Sequence, residues 1–332
     1  MKGRALATLL LCVCAGALTA GRVRVPFARS IFFTAGGDGL PAAQDCERCH
    51  QEVYREWDRS LHASAWRNEA FQRASAGARA EECVGCHAPA PFRAGDAPAV
   101  RDAHRDEGIT CTSCHLSPDS RDERLTMRGP VSRSSPVEVH PVIEGDPTYR
   151  SSELCGTCHR ATFAEWGTAT VSSGGEKETC QGCHMPAVRR TVESVHDEHA
   201  YSSILVALER EEDLRRHAFE VPEPDHDHVE IDARIVARGG HVEAAVANHL
   251  PHALPTGQFG RRQLAIVARW PGGEHRETFV HSRTDAISPG GTRTVSIELP
   301  LEARGKQVEI ALLRYDHATG GWSEIAHAAP SH

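Results

Sequence analysis

The last third of the chain alternates between apolar and polar positions. Residues 228–238 set Val229, Ile231, Ala233, Ile235 and Ala237 against polar neighbours, and Val242, Ala244 and Val246 repeat the period in the next run. A period of two turns one face of a strand toward a core. Further strands are predicted at 263–270, 277–282, 292–301, 307–315 and 322–326, with glycine-rich turns between them. Seven short strands of this kind predict an immunoglobulin-like β-sandwich of roughly a hundred residues. Upstream the period changes. Residues 52–59 and 69–80 read as short helices, and 197–217 as a longer helix whose charged end, 209–216, is a solvated face. Between them, 116–153 carries five prolines and many serines. A loop that long inside a compact domain is unusual unless it wraps something or delivers a ligand. Val221-Pro222-Glu223-Pro224-Asp225 reads as a linker between the two textures.

The first twenty residues follow a different rule. Met1-Lys2-Gly3-Arg4 is basic, residues 5–20 are largely apolar, and Ala15-Gly16-Ala17 supplies a small-residue cleavage signal. This is the pattern of a secretory signal, with retention as an uncleaved membrane anchor as the alternative. Cys12 and Cys14 fall inside it and follow Leu11 and Val13, so no lipoprotein site is expected.

The candidate chemistry is a pentapeptide used five times: Cys46-Glu47-Arg48-Cys49-His50, Cys83-Val84-Gly85-Cys86-His87, Cys111-Thr112-Ser113-Cys114-His115, Cys155-Gly156-Thr157-Cys158-His159 and Cys180-Gln181-Gly182-Cys183-His184. On one helical turn, positions i, i+3 and i+4 share a face, so two thiols and one imidazole converge. That is the attachment signature of c-type haem. With 21 His among 332 residues, a histidine after every pair by chance has odds of roughly one in a million. Structural zinc would need pairs of pairs, and five leave a remainder. A chain this long does not need a disulfide framework to support its core. The sandwich holds no cysteine, so it cannot bind a haem covalently.

Composition adds two points. The formal charge of -8 argues against nucleic acid as a partner. Aromatic residues make up only 5% of the chain, thin for a core of this size unless porphyrins supply apolar surface.

The second axial ligand decides what such a haem can do. Beyond Met1 only Met127 and Met185 occur, and Met185 adjoins His184 too closely to reach the opposite face of that haem, while sixteen histidines lie outside the motifs. Bis-His ligation follows as the expectation, with His62, His104, His140, His199 and His252 as distal candidates and His196 competing with His199.

The chain resembles the cytochrome c-554-like multihaem cytochromes, a group related in haem packing to hydroxylamine oxidoreductase and pentahaem nitrite reductase. The resemblance covers roughly residues 46–201. It rests on Trp57, Ser60, His62 and Ala63, on Glu107-Gly108-Ile109-Thr110 before Cys111, on Ser151-Ser152-Glu153-Leu154 before Cys155, and on Met185-Pro186. Asn248 followed by Pro251-His252-Ala253-Leu254-Pro255-Thr256-Gly257 is similar to the Gly-His-x-x-Pro-Thr-Gly loop of relatives with an added sandwich, with Pro251 in the place of Gly. The resemblance implies that His252 ligates a haem from that loop.

Together these readings predict an α + β multidomain chain. Residues 1–20 are a signal peptide or anchor, 21–45 an extended lead, 46–208 a mostly helical and irregular multihaem cytochrome domain, 209–227 a helix end and linker, and 228–330 the sandwich. The expected function is electron transfer through five covalent haems c in an exported, periplasmic or surface protein. Its partners would be redox proteins, among them other multihaem cytochromes or a membrane quinol-oxidising complex. One alternative is a reductase or oxidase of a small nitrogen or sulfur compound at one open haem, against which stand the missing C-x-x-C-K site and the absence of eight motifs. Another is a subunit of a surface haem conduit.

Overall fold

The structure is a computed structural model, and it describes residues 23–24, 39–119, 125–130, 137–138, 140–170, 177–194, 209–221, 228–236, 240–258, 262–316 and 320–330. The signal segment with Cys12 and Cys14, most of the extended lead, His196, His199 and most of the linker lie outside the described residues. Among the described residues no helix is long and apolar enough to cross a membrane. The chain divides into two compact units: Met1–Leu154 with Thr179–Glu220, and Cys155–Glu178 with Val221–His332.

The first unit is built from short helices: Ala43–Glu47, Gln51–Asp58, Glu69–Ala74, Glu81–His87, Cys111–His115 and Cys180–His184. Side chains start some of them. Asn68 Oδ1 accepts from Phe71 N at 3.1 Å, and Thr179 Oγ1 from Gly182 N at 3.1 Å. The helix expected over 69–80 stops at Ala74. Ser75 is the cause, because its buried Oγ donates to Phe71 O at 2.7 Å and accepts from Ala78 N at 3.0 Å, diverting the backbone into a turn. Gly77 N then closes on Gln72 O at 2.8 Å and Ala76 N on Arg73 O at 3.4 Å, with Ala76 left-handed at φ 54°, a Schellman ending.

The strands of this unit are β1 (Val23–Arg24), β2 (Met127–Arg128), β3 (Val137–Glu138), β4 (Val142–Ile143), β5 (Ala187–Arg190) and β6 (Glu212–Arg215). β1 runs parallel to β3 and β2 parallel to β4, so the expected proline-rich loop carries short strand pairings. β5 and β6 form an antiparallel ribbon in which Ala187 faces Arg215 and Arg190 faces Glu212. This replaces the helix end expected at 209–216. Its burial alternates with a period of two, and Arg189 meets Asp213 across the ribbon at 3.1 Å, a cross-strand ion pair rather than a helical face.

Among the described residues the second unit contains a helix, Arg160–Thr168, and seven strands: β7 (Val229–Val236), β8 (His241–Asn248), β9 (Leu264–Trp270), β10 (Gly273–Val280), β11 (Thr292–Glu298), β12 (Glu309–Tyr315) and β13 (Trp322–Ala328). They form two antiparallel sheets, ordered β10-β9-β12-β13 and β11-β8-β7. Val229, Ile231, Val242, Val246 and Ile297 from one sheet and Leu264, Ile266, Ile310 and Leu312 from the other share one buried core. This is the alternation read in the sequence, with inward residues at every second position.

The loop after β8 is clamped from within. Asn248 is fully buried and its Nδ2 donates to His252 O, Ile287 O and Ser288 O at 3.0, 2.9 and 3.2 Å, while its Oδ1 accepts from Leu250 N at 3.1 Å. From helix Arg160–Thr168, Glu165 Oε2 accepts from Ala253 N at 3.1 Å and Thr256 Oγ1 at 2.7 Å, and Thr162 Oγ1 lies 2.9 Å from Thr256 Oγ1. The segment after the fourth pentapeptide is therefore tied to the 252–257 loop within this unit.

Candidate functional site

Each pentapeptide forms a tight helical turn. In the first, Cys49 N and His50 N close on Cys46 O at 3.2 and 2.9 Å; in the fourth, Cys158 N and His159 N close on Cys155 O at 3.3 and 2.9 Å. The other three lie in the helices Glu81–His87, Cys111–His115 and Cys180–His184. The variable positions of the motif have packing reasons. A Cβ on Gly85 would come 2.2 Å from Pro98 O, and one on Gly156 would come 2.5 Å from Phe163 Cγ.

The ten thiols are all partly buried. The hydrogen bond with Cys111, then burial, pushes Cys46 up; burial pushes up Cys83 and lifts Cys114 to about 12, while Cys111 is lowered by the same bond to Cys46. A dithiol redox centre needs a readily formed thiolate. Cys46, Cys83 and Cys114 resist ionisation, which disfavours thioredoxin-like chemistry at those sulfurs. The bond between Cys46 and Cys111 also brings the first and third motifs side by side.

The imidazoles carry the clearest geometry. His50 Nδ1 lies 3.0 Å from Val192 O, His87 Nδ1 2.9 Å from Ala65 O, His115 Nδ1 2.9 Å from Arg128 O and His184 Nδ1 2.8 Å from Glu220 O. A carbonyl only accepts, so each Nδ1 carries the proton and each Nε2 keeps its lone pair for a metal. Burial lowers both His87 and His115, favouring the neutral form that ligation requires. Phe71 stacks on His87 at 3.8 Å, and Tyr149 on His115 at 4.9 Å. The Tyr149 hydroxyl also donates to Cys114 O at 2.6 Å. Arg128, whose carbonyl orients His115, is itself held by Asp146 at 2.8 Å.

The distal candidates fall in different settings. His140 faces His50, ring centroids 6.4 Å apart. His62 lies against Phe219 at 4.1 Å, and its carbonyl accepts from Ile109 N at 3.0 Å. The Glu107–Thr110 approach to Cys111 explains itself here: Glu107 accepts from Ala43 N at 3.1 Å, Ile109 O accepts from Trp57 Nε1 at 2.7 Å, and Gly108, at φ 67°, passes so close that a Cβ would come 2.3 Å from His62 O. His104 holds a left-handed backbone at φ 53°, and its Nε2 is buried with no hydrogen-bond partner. His252 sits in the clamped sandwich loop with Nδ1 3.1 Å from Ala253 O.

One histidine escaped the sequence reading. His217, just after β6, lies with its ring centroid 6.0 Å from that of His115. Its Nδ1 meets Arg215 O at 3.0 Å and its backbone N–H donates to Glu56 Oε2 at 2.9 Å. Glu56 in turn takes a bidentate pair from Arg190 at 2.8 and 2.9 Å. Burial lowers His217 to about 4, so it stands neutral. Assigned to the end of a solvated helix, it drew no attention as a ligand.

The family profile described as "Cytochrome c554 and c-prime" matches residues 45–116, and that of "Cytochrome c7 and related cytochrome c" matches residues 98–185. The fold is similar to that of a penta-heme cytochrome c552 from Thermochromatium tepidum, with TM-score 0.52 and 17% identity over 85% of this chain and 96% of that one. Residues 45–185 are those of a multihaem c-type cytochrome.

A superoxide reductase from Nanoarchaeum equitans aligns at TM-score 0.18 and 12% identity over 31% of this chain and 95% of that one, too weak to carry an argument. No curated protein matches the cytochrome. The residues fit haem c: paired thiols on one turn, followed by an imidazole whose Nδ1 is tied to a carbonyl in four of the five motifs. Bound haem supplies a one-electron couple, and the protein tunes it through ligands, burial and hydrogen bonds. The cytochrome thus transfers electrons, as multihaem cytochromes do with their redox partners.

Proposed function

We propose that this cytochrome is an exported electron carrier holding five haems, most of them ligated by two histidines. Cys46, Cys49, Cys83, Cys86, Cys111, Cys114, Cys155, Cys158, Cys180 and Cys183 form the thioethers. His50, His87, His115, His159 and His184 are the proximal ligands, and distal ones are drawn from the candidates His62, His104, His140, His199 and His252. The observation that carries this reading is the fixed tautomer of four motif imidazoles, each with Nδ1 on a carbonyl and Nε2 left for iron. The 6.4 Å separation of His50 and His140 supports the bis-His part, because iron–nitrogen bonds of about 2 Å on each side separate two imidazole centroids by about 6 Å. The buried, unpartnered Nε2 of His104 supports its place among the ligands.

The chain's own task is to hold and screen the redox centres. Stacking by Phe71 and Tyr149 fixes ring planes, and packing of Cys111 on the cluster of Ala43, Trp57 and Ala63 keeps the first and third attachment sites adjacent, as hopping between haems requires. Donors and acceptors are redox proteins, including other multihaem cytochromes or a quinol-oxidising membrane complex, and the site of action is the periplasm or cell surface. Electron paramagnetic resonance of the purified exported protein tests this. Low-spin signals from essentially all irons are expected; a major high-spin fraction that binds carbon monoxide after reduction would contradict it and favour a catalytic haem.

A further inference from the structure

We infer that His217 is the distal ligand of the iron carried by Cys111, Cys114 and His115, an assignment that rests on the bis-His reading above. The centroid separation of 6.0 Å between His217 and His115 is close to the 6.4 Å between His50 and His140, and both match the span of two imidazoles bound to one iron, about 6 Å. The rings are tilted by 39° in one pair and 50° in the other. Axial imidazoles tolerate such rotation, since each turns about its own iron–nitrogen bond.

The two rings of this pair are prepared in the same way. Both Nδ1 atoms are committed to carbonyls, of Arg128 and of Arg215, so both Nε2 atoms are the basic ones. His217 is also held by its backbone. Arg216 N bonds Pro186 O at 3.0 Å, and His217 N bonds Glu56, which Arg190 clamps from β5. The ribbon thus brings one imidazole to face another from a distant part of the chain, and Phe219 meets the His217 ring edge-on at 5.9 Å. A residue that merely filled space would need neither the fixed tautomer nor the carboxylate anchor.

The test compares His217→Ala and His217→Met with the parent holoprotein. Porphyrins per chain are counted by mass spectrometry, and spin states are read by electron paramagnetic resonance. In His217→Ala the porphyrin count stays unchanged, one iron equivalent becomes high-spin and binds carbon monoxide when reduced, and added imidazole restores the low-spin signal. His217→Met keeps that iron low-spin and raises the potential of one haem. A full porphyrin complement with unchanged spin states in His217→Ala would overturn the assignment. If that variant is not recovered as holoprotein, His217→Met decides, since unaltered potentials would equally overturn it. A parent protein with fewer than five porphyrins, or with substantial high-spin iron, would instead break the underlying reading.

Discussion

The two units solve the problem of a core in opposite ways. Around the sandwich, one cluster gathers buried side chains from all seven strands, with Leu264, Ile266, Ile297, Ile310 and Leu312 fully hidden. In the first unit, the motif unit, which bears four of the five motifs, the cluster among the described residues consists of Ala43, Trp57 and Ala63. Burial of a large apolar side chain contributes about 1.5–3 kcal/mol, so the sandwich carries its stability in its own sequence. The motif unit relies on polar anchors such as Arg101, buried and bonded to Thr110 at 2.6 Å and Gly108 at 3.1 Å, and Gln181, bonded to Ser151 at 2.8 Å. On the reading proposed above, porphyrins supply the apolar surface that the side chains of this unit do not.

The sharpest way to break the comparison is to remove the cofactor. With every motif cysteine replaced by serine, circular dichroism and limited proteolysis are expected to show loss of ordered structure in the motif unit, while the sandwich strands remain protected. Equal protection of both units would remove the contrast. Next in size is a cavity in the sandwich. Ile266→Ala or Leu312→Ala is expected to cost about 2–5 kcal/mol in denaturant unfolding of the sandwich, with the haem absorption bands unmoved.

A smaller effect is expected at the Glu56 anchor. Burial alone would raise its carboxyl, but the bonds from Arg190 and the His217 N–H prevail and hold it below the ordinary carboxylate range. A carboxylate with a depressed folded value stabilises above its unfolded value, about 4.3, and loses that contribution as pH falls through the folded one. Glu56→Gln is therefore expected to weaken the motif unit by about 1.5–3 kcal/mol at neutral pH. Stability curves of parent and variant should converge on acidification; parallel curves would deny Glu56 this role. Smallest is Thr256→Val, which removes hydroxyl contacts to Glu165 and Thr162 and is expected to cost about 1 kcal/mol in thermal unfolding.

The same contrast explains what could be read in the sequence. Strand alternation is local, so all seven strands of the sandwich were legible, as were the five pentapeptides, whose chemistry is complete within one turn. The helix over 69–80 failed because a single buried serine redirects the backbone at Ser75. Residues 212–215 were misread because Leu214 alone among three charged residues offers no apolar period to follow. His217 and Tyr149 were missed because their partners, His115 and Cys114, lie far along the chain, and only the fold brings them together. His140 was singled out because it lies in a loop whose length demanded a purpose.

The central claim is that porphyrin is joined to every one of the paired thiols. Intact-mass spectrometry of the exported protein, followed by peptide mapping, measures this directly. The account predicts five porphyrin adducts, one on each Cys-x-x-Cys-His segment; fewer than five, or unmodified thiols at any of these pairs, would contradict it.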